Sequence, residues 1–339
     1  MTARERFHAV MRFEPVDRLP LVEWAAWWDE TVARWEAEGL PRGLDRYELY
    51  EYFGLDMWYQ DWWRPLHWEA PKPARHGMGI IEDESGYEGI RGYLYQILER
   101  WPIDPVRWRE WCEAQRRGAV VWFTVDGFFW FSRVLLGIER HLYAFYDQPK
   151  LLHRINTELA EWMVRMIERV CEICVPDFMT FAEDMSYNHG PMLSEALFNE
   201  FLLPYYQRVV PELKRRGIWV FVDSDGDVSA AVPWFERAGI EGILPLERQS
   251  GVDVGVLRRR HPRMRFIGHY DKLVMSKGSG AMRAEFERLI AVARQGGFII
   301  SCDHQTPPEV SLANYWEYVK LFREYAEQVG GRGAREIGS

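Results

Sequence analysis

Cysteine is scarce in this chain: Cys112, Cys171, Cys174 and Cys302 are the only four in 339 residues. That is too few for a disulfide framework at this length, and a reducing cytoplasm is the expected location. Cys171 and Cys174 form one CxxC inside a helical pattern, and without a second pair they read as buried helix cysteines. A run of roughly 18 apolar residues is also missing, so no helix is expected to span a membrane. The segment 1–12 is charged and helical in pattern, unlike a signal peptide. Long basic runs are absent and the net charge is −9, which argues against a nucleic-acid partner. The short run Arg258-Arg259-Arg260 reads as the coat of a helix. No internal repeat of fixed period is visible.

What the chain has in quantity is aromatic residues. They make up 15% of it and include 17 Trp, which points to a large aromatic core or an aromatic-lined pocket. The length suits a single (β/α)₈ TIM barrel, and the pattern predicts one α/β domain over 1–339. Thr2 followed by Glu5 has capping-box spacing and opens an N-terminal helix. Strands are expected over 19–24, 56–60, 119–124, 178–182, 219–223, 242–246, 265–268 and 298–302. Most are separated by helical patterns, including 104–117, 149–174, 194–216, 281–295 and 311–329. The proline- and glycine-rich stretch 62–100 reads as an insertion over one mouth. It is expected to hold a β-hairpin, 79–82 with 87–91, turning at Glu84-Ser85-Gly86. Residues 330–339 read as a flexible tail.

Ionisable residues recur where the strands end: Asp126, Glu183 and Asp184, Asp223 and Asp225, Glu247, His269 and Asp271, Asp303 and His304. In such barrels catalytic groups stand at the C-terminal ends of the strands, so repetition of this placement predicts one acidic mouth. Strand alternation would put Trp219, Phe221, Asp223 and Asp225 on one face. Two neighbouring acids repel unless a cation or a shared proton intervenes. Each residue also has a plainer reading. Asp223-Ser224-Asp225-Gly226 can be a solvated turn, and Glu183 or Asp184 can cap the turn at Asn188-His189-Gly190. His269 can stack in the core, and Trp24, Trp27, Trp58, Trp122 and Tyr187 can be packing.

Several stretches resemble the uroporphyrinogen decarboxylase superfamily, and in particular its corrinoid-dependent methyltransferases. They are 2–20 (TARERFHAVMRFEPVDRLP), 182–204 (AEDMSYNHGPMLSEALFNEFLLP), 223–226, 238–247, 267–272 and 302–308. The resemblance implies a TIM barrel that moves a methyl group from a small substrate, an aromatic methyl ether or a methylamine, to a separate corrinoid protein. No Asp-x-His-x-x-Gly corrinoid-binding motif occurs in this chain, so the corrinoid would come on that partner. In the methyltransferases a His-x-Cys-Gly pattern and a later Cys hold zinc. The matching residues here are Asp223, Asp225 and His304, with Cys302 two residues away. The resemblance therefore implies a divalent metal, zinc by family usage. The harder ligands equally permit another divalent ion, or no metal and a shared proton.

Carried over in the same way, Glu183, Asp184 and His304 are candidate catalytic residues. Trp24, Trp27, Trp58, Tyr187, Glu247 and His269 are candidate substrate-binding residues. The family's decarboxylases bind a polycarboxylate through arginines soon after the first strand. This chain has none between Arg18 and Arg34, and its acidic mouth would repel such a substrate. A decarboxylase or lyase acting on a small acid, and a non-catalytic ligand-binding barrel, remain as alternatives. The partners expected are the small substrate, the corrinoid protein and, as an option, a second copy in a homodimer, with neither nucleic acid nor membrane.

Overall fold

The computed structural model describes residues 1–97 and 101–330. Residues 331–339 of the expected tail and 98–100 of the expected insertion lie outside the described residues. Seven parallel strands form one curled sheet: β1 (Trp58–Trp63), β2 (Val120–Asp126), β3 (Phe178–Ala182), β6 (Trp219–Asp223), β7 (Gly242–Leu244), β8 (Arg265–Tyr270) and β9 (Phe298–Cys302). They pair in that order from β1 to β9. A small antiparallel ribbon, β4 (Ser186–Tyr187) with β5 (Gly190–Pro191), follows β3 and turns through Asn188 and His189. Strands β2, β3 and β9 are buried along their whole length, as expected where helices cover a parallel sheet.

The helix Ala3–Met11 closes the N-terminal end of the sheet. Its capping box is formed: Glu5 N donates to Thr2 Oγ1 at 3.2 Å, and Thr2 N donates to Glu5 Oε2 at 2.7 Å. Phe7 packs edge-on against Trp58 and close to Phe178. Beneath the helix, Asp177 accepts from Arg4 Nε at 2.6 Å, Gln115 Nε2 at 3.0 Å and Val121 N at 2.9 Å, with His8 Nε2 at 2.7 Å.

The expected strand 19–24 is not a strand. Proline at position 20 has no N–H to give to a ladder, and scattered bonds, several of them to side chains, make the connections instead. Leu21 N donates to Asp56 Oδ2 at 2.8 Å, and Asp56 N to Leu21 O at 2.8 Å. On the other side, Ser301 Oγ and Cys302 N each donate to Glu23 Oε2 at 3.2 Å. The irregular segment thus touches both edge regions of the sheet without being a regular strand, and among the described residues seven sheet strands replace the eight expected.

Three other expectations change. The hairpin predicted near 79–91 is absent: Asp83 Oδ1 accepts from Gly86 N at 2.9 Å and caps the helix Glu84–Gly89, so the supposed turn is the first turn of a helix. The helix expected over 194–216 is two, Glu195–Phe201 and Leu203–Arg215, because Pro204 cannot continue the ladder across Leu202. Two helices, Phe128–Leu136 and Ile138–Asp147, occupy a region for which no element was expected.

Candidate active site

Inward-facing residues of neighbouring strands stack in layers. Trp58, Phe178 and Phe221 form an aromatic floor near the strand starts. Above it runs a polar chain in which Gln60 Nε2 donates to Thr124 Oγ1 at 2.9 Å, and the Thr124 and Thr180 hydroxyls lie 2.8 Å apart. Above that layer, at the C-terminal ends of the strands, opens a cavity of about 300 Å³. Its lining includes Trp24, Arg46, Gln60, Trp62, Asp184, Asp223, Asp225 and His304.

Three carboxylates converge there. One oxygen each from Asp184, Asp223 and Asp225 lies within 4.8 Å of the others. Asp223 ends β6, and its carboxylate has no protein hydrogen-bond donor among the described residues. Asp184 follows β3 with φ +39°, a left-handed conformation that non-glycine residues rarely take and that recurs at functional sites. Its Oδ1 accepts from Asp225 N at 3.3 Å. Gly226 holds φ +82°, and a Cβ there would stand 2.7 Å from the Tyr187 backbone, so the acidic turn can press against the β4–β5 ribbon only with glycine.

Crowding shows in the acidities. Burial, then the neighbouring Asp184, Asp225 and Glu247 charges, pushes the Asp223 carboxyl well above the usual range. Burial and the Asp184 and Glu247 charges push Asp225 up to about 7. Asp184 is also raised, chiefly by burial. His304 Nε2 stands 3.8 Å from Asp225 Oδ2. Burial, then Lys272, lowers the His304 pKa and favours the neutral ring.

The structure separates the other expected residues into two groups. Trp24 lines the cavity with its Nε1 bonded to Cys302 O at 2.8 Å. Glu247 supports the acidic turn, accepting from Gly226 N at 3.1 Å and lying 3.5 Å from Lys272 Nζ. Tyr187 is exposed on the ribbon and lends its backbone to the same turn.

The remaining candidates are elsewhere. Glu183, expected in the mouth, is fully buried and accepts from the backbone N–H groups of Phe128 (2.9 Å), Phe129 (2.7 Å) and Trp130 (3.3 Å), and from Tyr206. It caps the helix Phe128–Leu136 from outside, where the helix dipole favours a carboxylate. Gly127 leaves it room, since a Cβ there would fall 2.2 Å from the Glu183 carboxyl carbon. Burial pushes its pKa up to about 7 against those donors. Trp27 packs in a core cluster with Trp35, Tyr50, Phe53 and Tyr315, and Trp58 lies in the floor. His269 is fully buried, with Nδ1 2.7 Å from Leu246 O and Nε2 accepting from Val254 N at 3.2 Å. Burial lowers its pKa to about 4, so it is a neutral brace for two loops. Cys302 is buried beside Glu23, and burial drives its thiol pKa well up, so it does not stand in for His304.

Sequence reasoning missed Arg46, Gln60 and Trp62. The run Trp58–Trp63 offered Trp62 as a strand-end aromatic once the strand is extended to its true end. Nothing local marked Arg46, which begins the helix Arg46–Phe53 far from the strand ends in sequence.

A family model described as "Uroporphyrinogen decarboxylase (URO-D)" matches residues 131–325, more than half of the chain. The chain belongs to this family. A uroporphyrinogen decarboxylase from Pseudomonas aeruginosa is 26% identical over 192 residues, covering 55% of this chain and 52% of that protein. One from Bordetella parapertussis is 29% identical over 177 residues, covering 49% and 47%. The chain thus spans about half the length of the curated relatives it matches. In fold, it is similar to a methyltransferase from Methanosarcina mazei, with TM-score 0.70 and 16% identity over 96% of this chain and 99% of that one. The span matched by the family model contains the acids and His304, whereas Trp24, Arg46, Gln60 and Trp62 lie before it.

Proposed function

We propose that the chain is a methyltransferase that moves a methyl group from a small donor, an aromatic methyl ether or a methylamine, to a corrinoid carried by a separate protein. The observation that carries this reading is the convergence of three carboxylates and His304 in one small cavity rimmed by Trp24 and Trp62. A ring-sized molecule suits such a cavity. A polycarboxylate does not, since among the described residues Arg46 is the only arginine in the lining and three acids share that lining.

The donor set fits a divalent cation. Among the described residues Asp223 has no protein donor to offset its charge, and the acids are raised in pKa first by burial and then by neighbouring carboxylates, a cost that a bound cation would reduce. Asp184, Asp223 and Asp225 would hold the ion, with His304 beside Asp225. Oxygen ligands with one imidazole suit zinc, manganese or magnesium better than the soft thiolate chemistry used to activate a thiol. Such an ion, when bound, supplies Lewis-acid polarisation of the methyl-bearing atom.

The chain's own residues supply the rest. When the methyl leaves oxygen or nitrogen as a cation equivalent, the carbon–heteroatom bond breaks and its electron pair stays on the leaving atom. The acceptor contributes the pair for the new bond, and the leaving atom gains a proton. An aspartate that holds a cation is ionised, so the proton gained by the leaving atom comes from solvent and not from Asp225. Trp24 and Trp62 line the cavity, and both have their indole N–H already bonded, to Cys302 O and to Asp126 Oδ1 at 2.8 Å each. What these rings offer a ligand is therefore apolar surface.

The test is incubation with methoxyarenes or methylamines and reduced free cobalamin, with demethylated product followed by mass spectrometry. Product formation that is lost in Asp225→Ala supports the reading. Absence of product from both donor classes, with carbon dioxide released from a small carboxylic acid instead, would replace it with the decarboxylase alternative.

A further inference from the structure

Arg46 is a cation placed at a cavity of acids. The chain carries 51 acidic and 42 basic residues, and many of its arginines are paired: Arg18 with Asp56, Arg107 with Asp61, Arg154 with Glu84, Glu88 and Glu158. Arg46 lines a cavity that contains three aspartates, yet it makes no ion pair among the described residues. Its protein hydrogen bonds go to neutral acceptors: Nη1 to Gln60 Oε1 at 2.7 Å and Nη2 to Trp24 O at 3.0 Å. Its Nε is buried without a partner among the described residues.

Both acceptors belong to lining residues, so the guanidinium is fixed at the cavity wall. Gln60 is itself held by Thr124, and Thr124 by Thr180. The Tyr50 ring lies 5.9 Å from the guanidinium carbon. A cation tethered by neutral groups keeps its charge for a ligand, whereas one already paired with Asp184, Asp223 or Asp225 would have spent it. The cavity is therefore divided, with one fixed positive charge on one part of its wall and a cluster of acids on another.

We infer that Arg46 is the counter-ion for a single carboxylate on the substrate, so that the cavity takes an aromatic monocarboxylate bearing its methyl group away from the acid. Guanidinium binds a planar carboxylate through parallel N–H bonds, which favours this anion over a neutral isostere. The ring spans the apolar surfaces of Trp24 and Trp62, and the methyl-bearing atom reaches the aspartates. A second carboxylate would meet those acids, so the preference is for one. The inference rests on reading this cavity as the substrate site, and it deepens the proposed function by naming the donor's class.

The experiment is a binding titration, by calorimetry or tryptophan fluorescence, of 3-methoxybenzoate and 3-methoxybenzamide without any methyl acceptor. The wild type is expected to bind the acid at least about tenfold more tightly than the amide. Arg46→Gln should erase that preference by weakening the acid alone, and Arg46→Lys should restore part of it, since charge returns without the fork. Thermal denaturation of each variant checks its folding. Equal affinity of the wild type for acid and amide, binding of neither, or equal weakening of both in Arg46→Gln would overturn the inference. If Arg46→Gln does not fold, the wild-type comparison of acid with amide still decides. Arg46-dependent acid binding in a protein that yields no demethylated product would keep this inference and discard methyl transfer.

Discussion

At the N-terminal end of the sheet, Asp177 is surrounded by Arg4, His8, Gln115 and the Val121 N–H. At the C-terminal end, Asp223 is surrounded by Asp184 and Asp225, with no protein donor of its own among the described residues. Both carboxylates sit beside strand ends of the same sheet, and burial acts on both. At Asp177 burial is outweighed by His8, Arg4 and Val121, and the pKa is held below the usual range. At Asp223 the neighbouring charges add to burial, and the pKa rises. A satisfied acid stabilises the fold, whereas a crowded and unsatisfied one stores repulsion that a ligand can relieve. The contrast separates the end that closes the fold from the end equipped for chemistry.

The largest expected effect that tests this contrast is at Asp177. Asp177→Ala removes the acceptor shared by four donors and should cost about 3 kcal/mol in chemical denaturation. Asp223→Asn, measured with chelator present, should leave stability unchanged or raise it. Similar losses in the two variants would erase the distinction between the ends.

Two adjacent residues give a finer version. Glu183→Gln should cost about 2 kcal/mol by leaving backbone N–H groups of the helix Phe128–Leu136 poorly matched, yet should leave manganese or zinc binding unchanged in calorimetry. Asp184→Asn should do the reverse, lowering cation affinity at least about tenfold with little change in stability. Loss of cation binding in Glu183→Gln would return that residue to the mouth.

The smallest effect is on the pH dependence of stability, and it has opposite signs at the two ends. Asp177 has a lowered folded pKa, so its contribution is present above the unfolded carboxylate pKa and is lost as pH falls through the folded value. Asp225 is raised from 3.8 to about 7, so the chelated folded state binds the extra proton. Its contribution is present at acidic pH and disappears as pH rises to about 7. Melting temperatures of chelated protein between pH 5 and 8 should therefore fall less steeply in Asp225→Asn than in wild type. Identical slopes would mean that Asp225 is not crowded.

Much of this contrast is legible in the amino-acid sequence. The acids after β3 and β6 and the histidine after β9 are local features, because residue type at a strand end survives small errors in the strand's limits. Strand β9 falls at the residues the pattern predicts, and the N-terminal capping box forms as its spacing implies. Trp58, like Trp27, Glu183 and His269, is not where the pattern puts it. It and Trp62 share a face of β1 but lie about 13 Å apart along it, so misplacing the strand's end selects the floor instead of the mouth.

The sequence by itself determined an alternating α/β chain, buried parallel strands and acids at their C-terminal ends, since these follow from local composition and periodicity. Tertiary structure decided which of two adjacent acids faces the cavity. The φ of +39° at Asp184 turns that residue to the mouth, while the N-terminus of the helix Phe128–Leu136 takes Glu183. It also brought Arg46 to the cavity wall by bonding it to Gln60 and Trp24, partners 14 and 22 residues away. Charge partnership depends on distances in space, and neither hydrophobic period nor residue spacing encodes it.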